Sequence, residues 1–247
     1  ISNWISKEKD LKKSNLIESY PLIKKLRYGE NPHQEALWYG VNNIGWNSAE
    51  QLQGKELSYN NLLDLESALS TVIEFGYESK PNFEIKSVAA VILKHNNPCG
   101  ASISNSPSNS FKNALKCDSV SAFGGIVAFN ANVDEETAIN LKDIFLECIV
   151  APSFDKKALE IFKTKKNLRV LRLPKVMLPQ GKQTSSKSIM GGLLIQDCDN
   201  QENNEDTWIS VTKNTPSNNE FLDLKFAWKI CKHVKSNAIG LQKIKEL

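Results

Sequence analysis

The sequence predicts an α/β domain. Two observations carry this. Short apolar runs rich in β-branched residues alternate with segments whose apolar positions recur every three to four residues. No internal repeat of solenoid period breaks that alternation. The 247 residues are enough for one large domain or two small ones, and no long linker divides them, so one compact unit is expected.

In chain order, residues 1–20 are charged and read as a lead-in helix or linker. Residues 26–36 form a polar loop punctuated by Gly29 and Pro32. Ser58 to Gly76 reads as a helix, with Leu62, Leu65, Leu69 and Val72 or Ile73 on one face and Gly76 as its stop. Ser87 to Leu93 reads as a buried strand, followed by a turn over 96–100 and a Ser/Asn/Pro loop to about residue 110. Ser121 to Asn130 reads as a glycine loop running into a strand. Asp134 is placed to cap the next helix, with Glu135 and Glu136 in its first turn and Ala138, Leu141 and Phe145 as its buried face.

Cys148 to Ala151 reads as a short strand. Ser153 is placed to cap a helix over 154–163, and Leu168 to Leu173 is again strand-like. Polar loops are expected at about 180–188 and 198–207, with a strand at Gly191–Ile195 between them. Trp208 to Thr212 alternates like a strand. Ser217 and Glu220 fit a capping box opening a helix that carries Leu224, Ala227, Trp228, Cys231 and Val234.

Composition excludes several classes. A hydrophobic fraction of 40% with 24% charged residues is that of a globular chain, not a disordered or fibrous one. The balance of 31 basic and 28 acidic residues leaves +3, too weak a bias to indicate a nucleic-acid partner. The apolar run Val88–Leu93 is far short of the ~20 residues of a membrane helix. Ile1-Ser-Asn-Trp-Ile5 runs straight into charged residues, so no secretory signal is read there. The five cysteines are odd in number, scattered and without C-x-x-C, which reads as reduced thiols in a cytoplasmic protein.

The most pointed chemistry lies in Lys94-His-Asn-Asn-Pro-Cys-Gly100, directly after the apolar strand. At a strand end a turn can bring neighbouring side chains to one cleft. Pro98 extends Asn97 and Gly100 permits a tight turn. Open α/β sheets place ligands beyond strand carboxyl ends. A neutral imidazole accepts a proton near pH 7, and an ammonium stabilises charge developing on oxygen. A solvated lysine beside a hydrogen-bonded histidine fits the same residues. Arg27-Tyr28 offers a guanidinium fork and a hydroxyl suited to phosphate, or simply a solvated loop. Phe123-Gly124-Gly125 lets a ligand approach backbone amides, or marks a bend before a strand.

A zinc deaminase is also weighed. His33-Gln-Glu35 and Pro98-Cys99 echo its motif, but the second cysteine ligand is missing and there are three histidines in all. No catalytic metal is expected.

Five motifs then occur in order: Leu26-Arg-Tyr-Gly-Glu-Asn-Pro-His-Gln34, Gly54-Lys-Glu-Leu-Ser-Tyr-Asn-Asn-Leu-Leu-Asp64, Lys94–Gly100, Ser121-Ala-Phe-Gly-Gly-Ile-Val-Ala-Phe129 and Lys232-His-Val-Lys-Ser-Asn-Ala238. From about residue 21 to Ile239 the chain resembles the transformylase part of the bifunctional AICAR formyltransferase/IMP cyclohydrolase family of purine biosynthesis. The resemblance implies a mixed-sheet, layered α/β subdomain like cytidine deaminase, without catalytic zinc and incomplete at its C-terminal end. It implies that 1–20 is a connector from an N-terminal cyclohydrolase domain and 21–247 the first part of the formyltransferase domain. It implies formyl transfer from 10-formyltetrahydrofolate to the 5-amino group of AICAR, in a cytoplasmic homodimer with no nucleic-acid or membrane partner. His95 would be the general base, Lys94 the oxyanion or proton-transfer partner, and Asn237 the active-site asparagine. Arg27, Tyr28, Asn61, Phe123, Gly124 and Glu147 would be substrate-binding. A catalytically inactive nucleotide-binding fragment is the alternative.

Overall fold

The computed structural model describes residues 19–41, 43–77, 88–180, 183–200, 207–238 and 240. The connector expected over 1–20 thus lies almost wholly outside the described residues.

A six-stranded mixed sheet organises the chain, in the order β3-β8-β7-β6-β4-β5. Its strands are β3 (Glu50–Gln53), β4 (Val88–Lys94), β5 (Asn97–Ser104), β6 (Gly125–Phe129), β7 (Leu146–Ala151) and β8 (Arg169–Arg172). Strands β6, β7 and β8 are parallel to one another, while β4 runs antiparallel to both β5 and β6, and β3 antiparallel to β8. The uninterrupted Gly-Ile-Val-Ala-Phe run of β6 is buried along its whole length, as a central strand covered on both faces must be. The expected mixed α/β architecture is the one observed.

Helices cover both faces. One carries α2 (Pro107–Cys117), α3 (Glu135–Lys142) and α4 (Lys156–Phe162), where Phe111, Leu141 and Phe162 meet Ile92, Val127, Phe129 and Ile149. The other carries α1 (Tyr59–Ile73) and α5 (Asn218–Cys231), where Leu65, Leu69, Val72 and Phe226 meet Val91, Leu93, Ile126 and Val150. Period-two alternation in β4 and β6 sends successive apolar residues to opposite cores. Buried Asn130 ties the layers, accepting from the Ala89 amide at 2.8 Å and donating to the Phe75 carbonyl at 3.2 Å.

Local signals account for the helix starts. Ser58 and Asn61 form a capping box on α1, Ser217 and Glu220 one on α5, and Asp134 caps α3. Ser58→Ala is expected to cost about 1 kcal/mol in denaturant unfolding, because it leaves the Asn61 amide without its cap.

Several expectations are corrected. The loop expected to about residue 110 is mostly β5 and the start of α2. Polar β5 is an edge strand, where Pro98 is tolerated beside a register shift in its partner. Ser106 caps α2 with Pro107 in its first turn. Ser153 does not cap α4; it donates to Asn132 Oδ1 and the N-cap position is Asp155. Phe145 lies beyond α3 and is exposed, and on α5 Leu224 and Trp228 are exposed while Phe226 is buried. Trp208–Thr212 is not a strand: Ser210 and Thr212 hydroxyls donate to the Asn214 carbonyl and turn the chain.

Two hairpins stand apart from the sheet. β1 (Leu22–Lys25) pairs with β2 (Leu37–Tyr39), and the polar segment 26–36 is its loop. β9 (Thr184–Ile189) pairs with β10 (Gly192–Asp197). The polar loop expected at 180–188 is therefore largely strand β9, whose serine-rich residues remain in solvent.

Candidate active site

Strand register decides where the candidate residues meet. Leu93 pairs with Ile126, Gly125 with Leu146 and Cys148 with Arg169, while Gln53 of β3 pairs with Val170. The carboxyl ends of β4 and β3 therefore lie at the same sheet edge as the amino ends of the three parallel strands. Lys94 and His95 thus stand beyond the carboxyl end of β4 and beside the amino ends of β6, β7 and β8. The chain leaves β3 at this edge and enters α1, so the first turns of α1 open there too.

His95 and Asn96 form the two-residue connection between β4 and β5, with Lys94 paired to Asn97. Both have positive φ, 52° and 58°, the combination of a type I′ hairpin turn. The turn thus lies at 95–96 and not at Gly100, which sits within β5. Histidine and asparagine are among the few non-glycine residues that populate this region. The turn lifts the exposed His95 to the tip of the hairpin, next to Lys94.

Lys94 Nζ donates to the Phe123 carbonyl at 2.8 Å. The Gly124 amide donates to the Phe145 carbonyl at 2.8 Å, and the Phe123 and Phe145 rings lie 5.1 Å apart. These rings are 61% and 48% exposed, so the lysine stands beside an open aromatic surface. Gly124 has φ +74°, and a Cβ there would meet the Phe145 ring at 3.5 Å. Lys94 also faces Asp118, whose carboxyl is held low by the Ser121 hydroxyl and amide, with a smaller contribution from the lysine charge.

Glu147, at the start of β7, is engaged by Arg169 Nη1 at 2.8 Å, while Arg169 Nε donates to the Glu56 carbonyl at 2.9 Å. Asn61 is buried and its Oδ1 is committed to the capping box, accepting from the Ser58 amide at 3.1 Å. Arg27 and Tyr28 lie in the β1–β2 loop, the guanidinium 5.5 Å from the Tyr28 ring centroid. That loop is tied to α1 where Asn60 Nδ2 donates to the Glu30 carbonyl at 3.2 Å, and Lys24 pairs with Glu56 at 2.8 Å. These ties run to the start of α1 and its approach, not to Lys94 and His95.

Asn237 follows α5, exposed, accepting from the Ser236 hydroxyl at 2.8 Å. Its segment is anchored by Glu74, which pairs with Lys232 at 2.7 Å and His233 at 3.0 Å. Burial alone would raise the Glu74 carboxyl, but hydrogen bonds from His233 and Lys232 outweigh it and hold the group below its ordinary value. A depressed folded-state pKa adds stability that is present above the unfolded value and lost as pH falls through the folded one. Glu74→Gln is therefore expected to lower stability by about 1–3 kcal/mol at pH 7. Urea unfolding should show that difference narrowing below about pH 4.

Three residues escape sequence reasoning: Asp64, Arg169 and Glu74. Asp64 closes the motif Gly54–Asp64 and lies beneath the His95–Asn96 turn, a proximity that no local spacing reveals.

Cys99 on β5 donates to the Ile92 carbonyl at 3.5 Å, and burial, aided by the Asp118 charge, pushes its thiol up to about 11. It stays protonated and is a poor nucleophile or metal ligand. Among the described residues no three His, Cys, Asp or Glu side chains group as a metal site, and no helix is long and apolar enough to cross a membrane.

Comparison with known proteins adds to this geometry. The family profile described as AICARFT/IMPCHase bienzyme matches residues 1–247. The bifunctional purine biosynthesis protein PurH of Prochlorococcus marinus strain MIT 9515 is 83% identical over 243 residues, covering 98% of this chain and 47% of that protein. PurH of strain NATL2A is 53% identical over 241 residues, covering 98% of this chain and 46% of that protein. The chain spans about half the length of the curated relatives it matches. Among solved structures, RibD of Acinetobacter baumannii (form 2) matches at 16% identity and a TM-score of 0.30, covering 45% of this chain and 34% of that one.

Proposed function

The chain belongs to the AICARFT/IMPCHase bienzyme family, and from that premise we propose that it carries the first part of a formyl-transfer site of purine biosynthesis. The substrates in this reading are AICAR and 10-formyltetrahydrofolate, and the product is the formylated nucleotide that closes to IMP. Residues 21–247 are then the first part of the formyltransferase region and 1–20 a connector from a cyclohydrolase domain. The working form is a cytoplasmic homodimer. The observation that carries the reading is the match along the whole chain; the gathering of Lys94, His95, Phe123, Gly124 and Glu147 at one sheet edge supports it.

In this reading His95 accepts a proton from the 5-amino group as that nitrogen bonds to the formyl carbon. Lys94 presents its ammonium to the developing oxyanion. One of its three donors is taken by the Phe123 carbonyl, which fixes its direction and leaves the others for substrate. The bond from the formyl carbon to the folate nitrogen then breaks, and that nitrogen takes a proton from the Lys94–His95 pair. The amine is a poor nucleophile because the adjacent carboxamide withdraws electrons, so positioning and proton removal carry much of the rate. Arg27 and Tyr28 suit the nucleotide phosphate, Asn237 a polar intermediate, and the Phe123–Phe145 surface a planar ring.

A second reading is nucleotide binding without turnover. Calorimetry with AICAR and an assay of formyl transfer from 10-formyltetrahydrofolate decide between them. Turnover supports the first reading, heat of binding without turnover supports the second, and neither signal removes both for this chain. A zinc-dependent deaminase would require stoichiometric zinc on elemental analysis of the purified protein.

A further inference from the structure

We propose that Asp64 is a positioning residue of this site: its carboxylate anchors the left-handed His95–Asn96 turn and sets a negative charge beneath it. The functional part of this inference rests on the reading of Lys94 and His95 as the working pair. Its structural part does not.

Asp64 lies on α1, one turn beyond the capping box, and is half-buried beneath the hairpin tip. The Asn96 amide donates to Asp64 Oδ1 at 2.8 Å, with the His95 amide beside it on the same turn. With the Asn96 side-chain nitrogen turned inward, its two hydrogens have three acceptors in reach: Asp64 Oδ1 at 3.1 Å, Ser67 Oγ at 3.1 Å and the Leu63 carbonyl at 3.0 Å. One face of α1 thus satisfies the polar groups of the turn. This matters because two successive non-glycine residues at positive φ are disfavoured and persist only where their surroundings hold them.

Charge completes the argument. The groups facing the carboxylate are His95 from the turn, Lys235 from the segment after α5, and the buried, neutral thiol of Cys148 on β7. Asp64 is where two motifs distant in sequence meet, Gly54–Asp64 and Lys94–Gly100. In the proposed reading the carboxylate faces the charge that develops at the turn during proton transfer.

Burial pushes the Asp64 carboxyl above its ordinary value, against the pull of the Asn96 and His95 contacts and the Lys235 charge. A raised folded-state pKa means that ionisation of the group opposes folding as pH rises past the unfolded value.

The test compares the 247-residue wild type with Asp64→Ala and Asp64→Asn by amide hydrogen exchange and thermal unfolding at pH 7. In Asp64→Ala the Asn96 amide should lose at least about tenfold in protection while the core amides of β4 and β6 keep theirs. Asp64→Asn retains one acceptor oxygen without the charge. It should hold the Asn96 protection within about threefold, with a Tm no lower than wild type. Unchanged Asn96 protection in Asp64→Ala, or equal losses in the β4 and β6 core, overturns the anchor. Where the wild type turns over, both variants should lose at least about tenfold in kcat with KM for AICAR little changed. Full kcat in Asp64→Asn overturns the charge role. Absence of turnover in the wild type overturns formyl transfer by this chain and leaves the anchor to be judged by exchange alone.

Discussion

His95→Ala is expected to lower kcat for formyl transfer by about 10²–10⁴-fold, the usual contribution of a positioned general base. KM for AICAR should change little, because the imidazole is assigned to proton removal and nucleotide binding to other residues. Position 95 has φ 52°, so alanine adds backbone strain to the loss of the base. His95→Asn separates the two effects, since asparagine adopts this conformation readily and cannot serve as the base. The expected result is equal loss of kcat in both variants, with a wild-type Tm in His95→Asn. Near-wild-type turnover in His95→Asn would remove His95 from the mechanism.

Gly100→Ala is expected to be the most damaging single methyl in the protein's edge hairpin, costing about 3 kcal/mol or more in urea unfolding. A Cβ at Gly100 would lie 2.1 Å from the Ala114 carbonyl oxygen and 2.9 Å from its carbon. Both are backbone atoms of α2, so no side chain can swing aside; β5 and α2 must separate. Their separation would disturb the arm of the hairpin whose tip carries His95. Gly191→Ala is the control. Position 191 has φ +74° but nothing within 4 Å of a new Cβ, so only backbone strain of about 1–2 kcal/mol is expected there. If the two glycine variants unfold at the same urea concentration, close approach of β5 and α2 is not what position 100 requires.

The contrast between these glycines illustrates what the amino-acid order reveals. Sequence reasoning singles out Gly100 for a turn, and Pro98-Cys99-Gly100 is indeed turn-like in composition. Its conformation is instead that of an edge strand pressed on a helix, because the turn is made two residues earlier by His95 and Asn96. Composition weighs local preferences alone, and here a tertiary contact overrides them.

Signals that act within one or two turns of backbone were readable. The Ser58 and Ser217 caps, the Asp134 cap, the apolar face Leu65–Leu69–Val72 and the buried runs of β4 and β6 follow from hydrogen bonds and burial between near neighbours. The five ordered motifs were equally readable, and the whole-chain family match agrees with them. Folding alone decided the rest. That β4 lies antiparallel beside β6, bringing Lys94 to the amino ends of three parallel strands, depends on pairing that an apolar run does not encode. That Glu147 meets Arg169 across 22 residues, and that the Asn96 amide meets Asp64 across 32, depends on the same pairing and on where α1 packs. The physical reason is one of range. Local preferences are set by atoms a few bonds apart, whereas a site is assembled by contacts whose partners become neighbours only once the sheet has chosen its order.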